Sequence, residues 1–451
     1  MEVEIISREC IKPSSPTPSH LRTYNISLLD QFQPHVYVAI LHFYPPNKAS
    51  SSETSRVFKQ SLSETLTLYY PLAGKAKDGL SVDCNDEGAC YINARVNRDL
   101  SHCLKQPTQT IVSNFHPSGI VFTEVTPGAH VAVIQETLFS CGCIAIAFAC
   151  PHTILDATGS TGFMKTWATI ARQPSTGANL SSNFNASSIF PQTSTAFPED
   201  LTAVNLTSFF HRNGKFVVKR FVFDGSAITK LKAKTMSSGV HNPTRAEVVY
   251  AVFLKCIMSA LRVKSGKQKS ALAINTMSLR RKVVPPIPET AVGNFVWIAP
   301  ILSQVGDMKL SDFVRRIRES LSLINGDFVK SLEGDGGFNI LCDSMNEFRK
   351  LCSKALSEGA EPIALNSWCN MGSYEADFGW GKPLWIPFFG AAKPPNGFFI
   401  NLMDTRHGNG IEAWVVLDEE TMPMLQHDME LRSLVSVDPS PLQIGLLSSK
   451  L

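Results

Sequence analysis

The chain has no apolar run long enough to span a bilayer, no C-x-x-C pair among its 11 cysteines, no block of like charge and no G-x-S-x-G turn. Each absence excludes a class of function. A transmembrane helix needs about 18 or more consecutive apolar residues, so no membrane span is expected. Zinc and dithiol redox sites use paired cysteines; here Cys143, Cys150 and Cys256 sit in apolar surroundings and read as reduced thiols, with no metal expected. With 42 Lys+Arg against 39 Asp+Glu and no charged tract, nothing resembles a footprint for nucleic acid or an anionic membrane. The opening MEVEIISREC lacks the basic-then-apolar order of a secretory signal, so the sequons at Asn25, Asn179, Asn185 and Asn205 are not expected to be glycosylated. Without a nucleophile elbow or a cysteine in a nucleophile context, a covalent acyl-enzyme has no evident carrier.

What is present reads as mixed α/β. The 451 residues exceed the roughly 150-residue domain prior about threefold, enough for one or two substantial cores. Alternation predicts strands at Val36–Phe43, Val131–Leu138 and Cys143–Ala149, the last two joined as a hairpin through a Cys-Gly turn. Phe163, Met164, Trp167 and Ile170 then recur at helical spacing. From Gln173 to about Leu206 the chain is rich in Ser, Asn, Thr and Pro and reads as a long surface crossing between two domains. Beyond it, Phe216–Phe223 reads as a strand, and Thr244 with Glu247 three residues on forms a capping-box signal for a helix through about Leu261. Late strands are predicted at Phe398–Met403 and Ile411–Leu417 around an Asn409-Gly410 turn. Gly408-x-Gly410-x-x-Ala413 nominally matches a dinucleotide fingerprint, but the residues after it alternate like a strand, which excludes that reading.

Two stretches carry candidate chemistry. In CPHTILDATG, His152 comes straight after an apolar run, at a strand end, and an imidazole there can take a proton from a hydroxyl and return it within one turnover. Asp156, four residues on, either orients that ring as in a hydrolase triad or points away from it to an arginine that pins the turn. In SYEADFGWGKP, Asp377 accepts local hydrogen bonds in a tight turn built on Gly379 and Gly381, while Trp380 packs inward. Just upstream, Asn366 and Trp368 offer an amide and an indole N–H that could face a developing oxyanion or serve only packing.

HTILDATG resembles the H-x-x-x-D motif, and DFGWG matches the second motif, of the plant BAHD acyl-CoA-dependent acyltransferases. The likeness extends through SLSETLTLYYPLAGK, SVDCNDEG, PTRAEVV, SLRRKVVPPIPETAVGN and NLMDTRHGNGIEAW, and is greatest to the vinorine-synthase-like branch acting on alkaloid and terpenoid alcohols. The resemblance implies two chloramphenicol-acetyltransferase-like α/β domains with a central solvent tunnel, acyl-CoA as co-substrate and no permanently bound cofactor. It makes His152 the general base, pairs Asp156 with Arg280, and makes Asp377, Gly379, Trp380 and Gly381 support at a distance from the chemistry. It matches Trp368 to a tryptophan proposed to stabilise the oxyanion. Ala157, Thr153 and Asn370 stand where many members have Gly, Lys and Arg, and the missing arginine puts the geometry of that loop in question.

The sequence-based reading is therefore an O-acyltransferase esterifying a small-molecule alcohol from acetyl-CoA or a short or aromatic acyl-CoA. The alternatives are an N-acyltransferase and a catalytically idle acyl-CoA-binding protein. Domains are expected at 1–190 and 215–451 with a crossover at 191–214, part of 366–395 packing on the first domain, in a monomer. The terminal Ser449-Lys450-Leu451 reads as a peroxisomal address for the import receptor, the alternative location being the cytoplasm.

Overall fold

The computed structural model of the protein describes residues 2–173, 182–202, 208–303, 305–306, 308–388 and 396–442. The alternating segments pair as two sheets. Strands β1 (Glu4–Ile11), β2 (Tyr37–Tyr44), β3 (Ala89–Val96), β4 (Val133–Phe139) and β5 (Ile144–Pro151) form the first, in the order β1-β3-β4-β5-β2. Strands β6 (Phe216–Phe223), β7 (Ala271–Ser278), β8 (Val296–Leu302), β9 (Glu361–Ser367), β10 (Phe398–Asp404), β11 (Ile411–Asp418) and β12 (Val435–Val437) form the second, in the order β8-β7-β9-β10-β11-β6-β12. Neighbours are antiparallel except β3/β4, β7/β9 and β9/β10. Ile411–Asp418 is thus a hairpin strand against β10, as its alternation requires, and not a nucleotide-binding helix.

Helices cover the outer faces. Of those used below, α1 (Leu28–Gln31), α2 (Ser51–Leu68) and α3 (Ala157–Arg172) belong to the first half, and α4 (Gly225–Met236), α5 (Arg245–Ser265), α6 (Leu310–Leu323) and α7 (Gly337–Ser357) to the second. Phe58, Leu62 and Leu66 of α2 and Phe163 and Trp167 of α3 close over Ile134, Ile146 and Phe148 of the first sheet. Each such side chain contributes about 1.5–3 kcal/mol by leaving water. Helices α4, α5 and α6 cover one face of the second sheet, packing on Phe221, Ile363, Leu365, Ile400 and Leu402. On the other side, α7 packs Leu341, Met345 and Phe348 against Leu272, Ile274 and Trp297. Helix α5 starts at the capping box that its sequence spells, Thr244 with Glu247, and ends on Gly266 at φ 68°, a left-handed conformation that glycine adopts without strain.

The two halves meet along an apolar seam. Leu41, Phe43, Ala145 and Ala147 of the first sheet pack with Trp385, Met403, Trp414 and Val416. Trp385 also pairs its backbone with β2: Phe43 N donates to Trp385 O at 3.0 Å and Leu384 N to Phe43 O at 2.6 Å, the two rings stacking at 5.9 Å. Trp385 Nε1 donates to Glu412 at 3.2 Å, and Glu412 forms a buried pair with Arg220 at 3.0 Å. A second return comes from the segment after β7, where Gly293 bridges to Leu155 beside the histidine turn.

Two expectations change. Strand β5 runs on to Pro151, so His152 is the first residue after the strand rather than the third. The Ser/Asn-rich crossing is not wholly a surface segment: Ala186, Phe190 and Leu201 are buried with Leu28, Leu29 and Phe295, and Leu28 N donates to Phe190 O at 3.0 Å. Sparse apolar residues in a polar stretch give no periodicity to read, yet three of them suffice to dock it. Asn179 and Asn205 of the sequons, and the Ser449-Lys450-Leu451 tail, lie outside the described residues. Among the described residues no helix is long and apolar enough to cross a membrane.

Candidate active site

His152 is held at the end of β5 by its own backbone: His152 N donates to Val36 O at 2.8 Å. Its Nδ1 lies 3.1 Å from Asn294 Oδ1. The Asn294 amide nitrogen is already committed, donating to Asp30 Oδ1 at 2.8 Å and to His152 O at 2.6 Å. Both partners accept only, so the amide oxygen must face the ring, and it can accept only from a protonated Nδ1. The network therefore assigns the proton to Nδ1 and leaves the Nε2 lone pair free. Asp30 is fixed in turn by Ser27, whose N and Oγ donate to Oδ2 at 2.8 and 2.7 Å in the capping box that opens α1, and by Asn294 N at 2.5 Å.

Electrostatics agree with a neutral imidazole. Burial holds His152 below its ordinary pKa, partly offset by its own carbonyl, the Asp156 charge and Asn294, while an edge of the residue stays partly exposed. Burial likewise pushes Asp30 up to about 6 against the hydrogen bonds from Ser27 and Asn294 that favour its charge.

Of the two orientations left open for Asp156, the structure shows the one toward arginine. Oδ1 accepts from Arg280 at 2.8 Å and from Gly159 N at 2.7 Å, and Oδ2 accepts from Phe295 N at 3.1 Å. The carboxylate thus caps α3 and ties it to the segment after β7. Arg280 also donates to Pro288 O at 2.7 Å and to Ala291 O and Gly293 O at 3.3 Å, and stacks on Phe295. The same segment runs so close to α3 that a Cβ on Gly162 would stand 2.5 Å from Glu289 O.

The second motif is a turn clamp. Asp377 Oδ1 accepts from Gly379 N at 2.8 Å and Gly381 N at 3.0 Å, with both glycines at positive φ, 109° and 132°. Phe378 is buried among Tyr44, Phe58 and Trp167, and half-buried Trp380 stacks on Phe378 at 5.8 Å. Trp368 leaves β9 with its N donating to Leu402 O at 2.7 Å and its ring edge-on to Phe388. Asn366 is half-buried on β9, in register with Asn401 of β10. The loop that the missing arginine left in question is held from another element. Asn370 takes the left-handed conformation at φ 62°, its N donates to Asp404 at 2.6 Å, and Arg245 reaches both Asn370 Oδ1 and Asp404 at 2.7 Å. Thr153, in place of a common lysine, is buried with its hydroxyl 3.4 Å from His35 Nδ1.

A family model described as the Transferase family matches residues 1–432. The chain belongs to this family, the BAHD acyltransferases. Among the transferase's relatives, the epi-neemfruitin B 7-O-acetyltransferase of Melia azedarach is 42% identical over 457 residues, covering 98% of this chain and 100% of that one. The limonoid 7-O-acetyltransferase of Citrus sinensis is 42% identical over 464 residues with the same coverage. The crystal structure of vinorine synthase superposes with a TM-score of 0.79 at 31% identity, over 96% of this transferase and 99% of that chain. The two-domain α/β architecture is the one this transferase shares with vinorine synthase.

Reading the sequence missed Asn294 and Asp30. Asn294 closes the recognised stretch SLRRKVVPPIPETAVGN, and Asp30 is the fourth residue of Ser27-Leu-Leu-Asp30, a capping-box pattern. Those were the available signals, but neither pointed to the histidine. Among the described residues, no three His, Cys, Asp or Glu side chains converge to hold a metal ion.

Proposed function

We propose that the protein transfers an acyl group from acyl-CoA to a hydroxyl of a plant specialised metabolite, a limonoid or related terpenoid alcohol, with His152 as general base. The observation that carries this is the Asp30–Asn294–His152 chain, which presents an unprotonated Nε2 from a ring that burial keeps neutral. Acetyl-CoA is the favoured donor, supported by the acetyltransferase names of both relatives.

In this reading acyl-CoA and the alcohol are held together between the domains 1–190 and 215–451, which makes attack effectively intramolecular. Nε2 takes the hydroxyl proton as the oxygen bonds to the thioester carbonyl carbon. The oxyanion is met by the Trp368 indole N–H and the Asn366 amide, a class of donor worth about 10²–10³ in rate each. The C–S bond then breaks, and the imidazolium returns its proton to the CoA thiolate. Asp156, Arg280, Asp377, Gly379, Trp380 and Gly381 hold the loops. The protein acts as a monomer, and its terminal tripeptide addresses it to the peroxisome.

The test incubates the purified protein with acetyl-, benzoyl- and other short acyl-CoAs and paired plant alcohols and amines, following thiol release and product mass. Ester formation that depends on His152 is expected. Amide products alone would move the assignment to N-acyl transfer, and no turnover with bound acyl-CoA would make it a binding protein.

A further inference from the structure

Strand β10 alternates between two environments. Phe398, Ile400 and Leu402 point into the core beneath α5, whereas Phe399 and Met403 belong to the seam between the domains. By that alternation Asn401 faces the seam. Its register partners are Asn366 on β9 and Trp414 on β11, and Trp414 is itself a seam residue. Asn401 is 0% exposed, and neither its amide nitrogen nor its amide oxygen has a hydrogen-bond partner among the described residues. A buried carboxamide without partners costs stability, and an aliphatic side chain would suit this strand position better. The fold therefore gives no reason for an asparagine here.

We infer that Asn401, fully buried with the seam closed, recognises the acceptor when the seam around it opens to admit that molecule, hydrogen-bonding a hydroxyl or carbonyl that lies close to the hydroxyl being acylated. The inference rests on the acyl-transfer reading and deepens it. Adjacent strands are about 4.8 Å apart, so an oxygen held by Asn401 is a near neighbour of the acyl oxygen at Asn366. That separation fits two oxygens on one ring or on fused rings of a polycyclic alcohol. The surroundings fit the same class, because Phe399 and Trp414 offer aromatic walls with few polar groups, which suits a large apolar skeleton with sparse oxygens. The donor's pantetheine arm fits less well: the N–H and C=O of a trans amide point in opposite directions, and carboxamides on a single sheet face cannot meet both.

The experiment uses the full-length protein, acetyl-CoA and a panel of triterpenoid alcohols, each paired with an analogue lacking one neighbouring oxygen. The wild-type protein is expected to favour the oxygenated member in kcat/KM. Asn401→Leu is expected to cut that preference by about tenfold or more, since a site built to bond an oxygen discriminates through it. It should leave KM for acetyl-CoA unchanged and raise Tm by roughly 2–4 °C as the unpartnered amide is removed. Asn401→Thr, which keeps a donor and an acceptor in a β-compatible side chain, should retain part of the preference. Unchanged discrimination in a folded Leu variant overturns the inference, as does a raised KM for acetyl-CoA, and the acyl-transfer reading survives either result. If the wild-type protein acylates no alcohol at all, both fail together.

Discussion

Replacing Asp156 by asparagine separates a structural carboxylate from a catalytic one. The native group accepts from three donors: Arg280 and Gly159 N at Oδ1, and Phe295 N at Oδ2. An asparagine offers one oxygen. Turned to keep Arg280 and Gly159 satisfied, it sets its NH₂ against the Phe295 N–H; turned the other way, it sets NH₂ against the guanidinium. Either way Arg280, whose side chain is 4% exposed, loses its charge partner. Breaking a buried pair by removing one partner costs about 3–5 kcal/mol. The four carbonyl and ring contacts that Arg280 keeps place this variant toward the lower end. The expected result in thermal unfolding, for about 3 kcal/mol at roughly 2–4 °C per kcal/mol, is a Tm lower by about 6–12 °C, with poorer soluble yield. The assay that decides is kcat of the soluble fraction at a temperature well below the new Tm. Asp156 does not touch the ring nitrogen that Asn294 serves, so kcat should stay within about tenfold of wild type, against the roughly 10⁴ lost when a triad aspartate is removed. A variant with wild-type Tm and a thousandfold lower kcat would refute the reasoning and make Asp156 part of the catalytic relay.

His152→Ala should leave Tm and acyl-CoA binding intact and lower kcat by about 10²-fold or more. In the wild-type protein log(kcat/KM) should rise with pH through one ionisation below 6.5 and then level, because the base works unprotonated and its pKa is depressed; an inflection above 7 contradicts this. His116 is buried with neither ring nitrogen partnered among the described residues and is pushed down to about 4 by burial, so its stabilising contribution is present above about pH 6.5 and is lost as pH falls toward 4. His116→Leu should therefore raise Tm more at pH 5 than at pH 8, and an equal gain at both would argue that the ring is not buried neutral. The address reading requires that a fluorescent protein fused to the N-terminus enters peroxisomes and that removing Ser449–Leu451 keeps it cytosolic with kcat unchanged; cytosolic signal from the intact tail would dismiss it.

What could be read beforehand was local. Alternation marked β5, β10 and β11 because each strand buries opposite faces in different cores, and Thr244 with Glu247 marked α5 because a capping box is complete within four residues. The functional geometry is the opposite kind of object. Asp30 and Asn294 meet across 264 positions, and Asn294 and His152 across 142, so nothing in the neighbourhood of either residue announces the pairing. The same holds for Arg245, which reaches Asn370 from 125 positions away and holds a loop that, read from its own residues, had lost its charge. His152 was visible because it carries its own chemistry; the residue that chooses which of its nitrogens is the base was not, because an asparagine is ambiguous until both ends of its amide are seen. That ambiguity also makes the arrangement dependent on Asp30. With both amide hydrogens of Asn294 drawn to oxygens, one of them on Asp30, the amide cannot turn over without facing NH₂ toward the ring and an oxygen toward two acceptors, so the tautomer of His152 is decided by a carboxylate that never reaches it.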